Sequence, residues 1–124
     1  MGRPFNGPYE GMHNQFTAFP MGGIGAGMIC LEGTGALSHV SLWHKPSVNY
    51  EPMVSATVCV KGQGGNHALV LEGPVPERKI YRVADGGAGL PGRTYGLPRF
   101  GNCSFSARFP FGTVKLSDGG FPLT

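Results

Sequence analysis

The stretch FPMGGIGAGMICLEGTGALSHVSLWHKP, residues 19–46, decides how this chain folds, and its first third holds Gly22, Gly23, Gly25 and Gly27. A run of glycines like this is either a phosphate cradle or a tight backbone bend feeding a strand. A dinucleotide cradle needs G-x-G-x-x-G between a strand and a helix, and a P-loop needs Lys-Ser/Thr after its last glycine. Here Gly27 is followed by Met28-Ile29-Cys30, with no lysine and no helical pattern to present an N-terminus. The glycines are therefore read as backbone geometry, permitting positive φ and close approach of neighbouring chain.

Beyond the bend, residues 27–32 (GMICLE) and 36–43 (ALSHVSLW) are strand-length runs joined through Gly33-Thr34-Gly35, the signature of a hairpin. In the second run Leu37, His39, Ser41 and Trp43 alternate with Ser38, Val40 and Leu42, and neither face is cleanly apolar. Residues 53–61 (MVSATVCVK) carry the clearest period-two pattern, with Val54, Ala56, Val58 and Val60 on one face. Residues 67–73 supply the expected return strand after a glycine-rich turn. Residues 103–109 (CSFSARF) and 112–116 (GTVKL) form a further pair, broken at Pro110. Apolar residues recur at helical spacing nowhere across three turns. The expected fold is all-β, an antiparallel β-sandwich.

The chain has 124 residues, room for one domain of ordinary size. Glycine (22) and proline (11) together exceed a quarter of it, which predicts short strands with long turns. Residues 1–18 read as an extended lead-in and residues 19–124 as the first part of a sandwich domain. The chain stops as a proline-led apolar segment begins, which predicts an incomplete part of a larger sandwich. Residues 74–98 form a long connection rich in Gly, Pro and Arg; such loops carry function or pack on something larger.

The net charge of +3 is dispersed, and the Arg78-Lys79 pair reads as solvated surface, so nothing points to nucleic acid or an anionic membrane. No signal-peptide layout and no apolar run of membrane-spanning length is present, and the expected location is cytoplasmic. Cys30, Cys59 and Cys103 are too widely spaced for a zinc site or a disulfide framework and read as buried free thiols. His39 and His44 are five apart, which places them on opposite faces of a strand and argues against a shared metal. No cofactor or metal site is expected.

Glycosidic chemistry needs two carboxylates flanking a bond. The acids Glu10, Glu32, Glu51, Glu72, Glu77, Asp85 and Asp118 are scattered, and each reads as solvated surface. No catalytic residue is assigned. The aromatics Trp43, Tyr50, Tyr81, Tyr95, Phe100, Phe105, Phe109 and Phe111 read as core or interface, with a sugar-stacking surface as the alternative.

Residues 19–46 as a whole resemble the N-terminal signature of glycoside hydrolase family 116, the bile-acid β-glucosidase and non-lysosomal glucosylceramidase group. The resemblance rests on Phe19, Pro20, Gly22, Gly23, Ile24, Gly25 and Gly27, with support from EGPVPERKIY, RTYGLPRF and FSARFPFGTVKLSD further on. It implies an N-terminal β-sandwich followed by an (α/α)6 helical domain, and retaining hydrolysis of β-glucosidic bonds by a Glu and an Asp of that helical domain. That domain is expected to be absent from these 124 residues. The implied role is therefore a sandwich segment that supports a catalytic domain in cis and is inactive alone; the alternative is a non-catalytic carbohydrate- or partner-binding module.

Overall fold

The computed structural model describes residues 2–48, 50–62, 65–80 and 94–121. Asp85, Tyr81 and the middle of the long connection lie outside them. The architecture is all-β and antiparallel. One sheet has the order β2-β3-β4-β5, with β2 at Ala18–Met21, β3 at Met28–Glu32, β4 at Leu37–Leu42 and β5 at Lys45–Ser47. A second runs β1-β8-β9, from Tyr9–Glu10, Asn102–Arg108 and Phe111–Ser117. A two-stranded ribbon joins β6 (Thr57–Gly62) to β7 (Gly65–Val70).

The glycine run is the loop of a hairpin, because Ala18–Met21 forms a strand that the sequence reading left in the approach to the bend. It pairs Ala18 with Glu32 and Met21 with Ile29. Pro20 cannot donate to a ladder, and it is tolerated because β2 lies at the sheet edge. Gly22 and Gly27 close the loop with φ of 149° and 86°. A Cβ on Gly22 would stand 2.2 Å from the Gly27 carbonyl oxygen, and one on Gly27 would stand 2.6 Å from that of Ser41. No helix follows.

The β3–β4 hairpin forms as expected, with the Glu32 N–H donating to the Ala36 carbonyl at 2.8 Å. Its uneven faces have a cause. The register moves from Met28↔Ser41 to Cys30↔Ser38, so β4 carries one extra residue there, and His39 takes a φ of 53°. This bulge interrupts alternation, and Ser38 rather than an aliphatic residue is buried. Trp43 and His44 then make the two-residue turn between Leu42 and Lys45, both with positive φ. The twist of hairpins favours such turns, but usually with Asn-Gly; a non-glycine residue there costs on the order of 1–2 kcal/mol.

The 53–61 strand begins later than expected. Residues 53–56 are outside any strand, Val54 is exposed, and pairing starts at Thr57↔Val70 and closes at Gly62↔Gly65. The return strand accordingly ends at Val70, short of residue 73. An isolated bridge, Val70↔Arg99, is parallel. The final hairpin matches the reading, turning at Arg108↔Phe111 around a cis Phe109–Pro110 bond. The lead-in is tied down by Tyr9↔Phe105 pairing and by a 3-10 turn, Gly11–Asn14, that buries Asn14.

The two larger sheets meet at Phe105, which is 1% exposed. Its ring lies 5.9 Å from Phe19 of the first sheet and 6.3 Å from Tyr9 of its own. Full burial of one phenylalanine contributes about 1.5–3 kcal/mol. Phe100 and Phe121 pack edge to face at 5.4 Å, and both are buried, as is Val70.

Candidate functional site

Glu32 is the last residue of β3, and the turn behind it directs its side chain inward, where it is 2% exposed. Lys79 meets it from a single helical turn, Glu77–Ile80 (α1), inside the long connection. The Lys79 Nζ lies 2.6 Å from Glu32 Oε2 and 2.8 Å from Glu51 Oε1. Tyr95 Oη donates to the other oxygen of Glu51 at 2.7 Å. Arg78 stands 4.0 Å from Glu32 Oε1, and its Nε donates to the Gln15 carbonyl at 2.9 Å. Lys79 thus ties the near end of the connection to the first sheet and to the segment after β5, and Tyr95 ties the far end to the same Glu51.

A second cluster adjoins it. Buried Glu72 accepts from Thr94 Oγ1 at 2.9 Å and from Arg99 Nη1 at 3.1 Å. Arg99 also reaches the Gly73 and Thr94 carbonyls. Glu51, Glu72, Thr94 and Tyr95 line one small cavity of about 260 Å³. Removing a carboxylate from water is expensive unless a cation and hydrogen bonds replace the lost hydration. Here three acids, Glu32, Glu51 and Glu72, face three cations, Lys79, Arg78 and Arg99. Held this way, each carboxylate is an acceptor committed to its partner. A glycosidase carboxyl must instead protonate a leaving group or attack a sugar carbon.

Two expectations change at this point. Glu32, Glu51 and Glu72 are not solvated surface acids, and the Arg78-Lys79 pair is not solvated surface, since Lys79 is 6% exposed. Glu10 and Glu77 do remain exposed, and Asp118 caps a turn by accepting from the Gly120 and Gly101 N–H groups at 2.9 and 3.1 Å. His39 sits in the bulge, and His44 sits in a turn, so the opposite-faces argument does not apply to it. Among the described residues no group of three His, Cys, Asp or Glu could hold a metal ion.

The cysteines divide. Cys30 is buried, Cys103 is half-buried and Cys59 is exposed, against the expectation of three buried thiols. Burial raises the Cys30 thiol above its ordinary pKa, and the nearby Glu32 charge adds to the rise. Burial also raises Cys103, opposed by a hydrogen bond from Asn14 Nδ2 at 3.2 Å. The aromatics divide too: Phe100 and Phe105 are core, whereas Trp43, Phe109 and Phe111 are exposed.

Fold and site together define an all-β, antiparallel sandwich-like domain braced internally by ion pairs. Residues 18–124 match the family described as beta-glucosidase 2, glycosyl-hydrolase family 116 N-term, and the chain belongs to that N-terminal family. No curated protein matches it. Among the described residues no helix is long and apolar enough to cross a membrane.

Proposed function

We propose that this chain is the opening sandwich segment of a retaining β-glucosidase of the glucosylceramidase-like kind, with residues 1–18 as lead-in and 19–124 as the segment proper. It braces a helical catalytic domain and does not itself cleave the glycosidic bond. One observation carries this reading: the buried acids Glu32 and Glu72 and the half-buried Glu51 are each held against a cation. Their work is to fasten the long connection onto the sheets. A cytoplasmic setting fits the free thiols, which persist where disulfides are reduced.

The test is hydrolysis of an aryl β-glucoside by the purified chain. The expected result is no turnover above the uncatalysed rate. Turnover that vanishes in Glu51→Gln or Glu72→Gln, with the fold intact, would overturn the reading. The exposure of Trp43 favours a second reading, a non-catalytic carbohydrate- or partner-binding module.

A further inference from the structure

We propose that the β4–β5 hairpin is a stacking platform for the pyranose ring of a β-glucoside, with Trp43 as its floor. The proposal rests on the second reading above and commits it to one place and one ligand. Trp43 is 90% exposed, yet its backbone and that of His44 are held in the left-handed region, at φ of 49° and 59°. Both values belong to the two-residue turn between Leu42 and Lys45, which sets the indole at the hairpin tip, outside the core.

The surroundings suit a sugar. Val40, Leu42, Trp43, Lys45, Ser47 and Tyr50 line one open depression of about 310 Å³. Tyr50 is held beside the hairpin because the His39 N–H donates to its carbonyl at 2.8 Å. A β-glucopyranose presents an apolar face of axial C–H groups and a rim of equatorial hydroxyls. The first packs on an aromatic plane, and the second meets an ammonium and a hydroxyl such as those of Lys45 and Ser47. A pocket that is mainly apolar with a few polar groups at its edge is the usual form of a small-ligand site. The description of the matching N-terminal family names a β-glucosidase, so a β-glucoside ring is the ligand the proposal commits to.

Trp43 is the chain's one tryptophan, so its fluorescence reports on this site alone. Titration with methyl β-glucoside and with cellobiose is expected to give saturable quenching with a blue shift. Sorbitol, which has the hydroxyls but no ring face, is expected to give none. By saturation-transfer NMR, Trp43→Ala should abolish sugar contact and Trp43→Phe should retain it more weakly, with circular dichroism unchanged in both. No saturable response up to about 100 mM sugar, well past the weakest specific affinities, overturns the proposal. So does an emission shift that follows protein concentration without sugar, which would show the indole facing a second copy of the chain. Neither result touches the hydrolysis test above.

Discussion

Replacing Lys79 by methionine keeps the length of the side chain and removes the charge that two carboxylates share. The Nζ lies 2.6 Å from Glu32 and 2.8 Å from Glu51, with side-chain exposures of 4%, 3% and 13%. At an effective dielectric of about 20, each contact is worth roughly 6 kcal/mol of gross attraction. Desolvation offsets most of this, so the net value of the cluster is small. Breaking it is different, because it leaves the buried Glu32 with Arg78 at 4.0 Å and takes from Glu51 the ammonium that stood 2.8 Å away. Loss of one partner from a buried pair costs about 3–5 kcal/mol. For a domain of this size that lowers Tm by on the order of 10–20 °C. Urea unfolding followed by circular dichroism measures the loss. The triple variant Lys79→Met, Glu32→Gln, Glu51→Gln removes both carboxylates along with the cation they share and should recover at least half of it. A cost below about 1 kcal/mol for Lys79→Met, the range of exposed pairs, would refute the buried clamp.

The glycine loop gives a paired test. Gly27→Ala should destabilise by more than about 1 kcal/mol, because a positive φ and a 2.6 Å approach to the Ser41 carbonyl oppose a methyl group. Gly23→Ala, whose added carbon meets only Ala26 at 3.8 Å, should stay within about 0.5 kcal/mol in the same melts. Among the thiols, a disulfide reagent at neutral pH should modify Cys59 at least tenfold faster than Cys30 or Cys103, read by mass spectrometry of peptides. The two raised thiols hold their protons more tightly when folded. Their contribution to stability is therefore complete below the unfolded thiol pKa of about 8.5 and fades as pH rises through the folded value. Replacing Cys30 and Cys103 by alanine should flatten the alkaline decline in urea-measured stability.

What could be read from the sequence was local. The β3–β4 and β8–β9 hairpins show in short alternating runs with turn residues between them, and the glycine run is legible as a bend because no helix pattern follows it. β2 escaped because Pro20 and the glycines disguise an edge strand. Val54 extended the β6 pattern past its true start because alternation records apolar spacing, not pairing. The bulge at His39 breaks the period that would otherwise reveal which face of β4 is buried. The ion-pair clusters were out of reach for a different reason. Glu32 and Lys79 are 47 positions apart, and no spacing rule links an acid at a strand end to a lysine in a long connection. The lone available signal was that connection itself, whose length calls for something to fasten it.

The central claim is that this chain holds its acids as braces and contributes no nucleophile to glycoside cleavage. A retaining glycosidase passes through a covalent glycosyl-carboxylate intermediate, and an activated 2-fluoro-β-glucoside traps it by slowing the second step. The direct measurement is the intact mass of the chain after prolonged incubation with that reagent. The account predicts an unchanged mass. A single glycosyl adduct mapped to Glu32, Glu51 or Glu72 would contradict it.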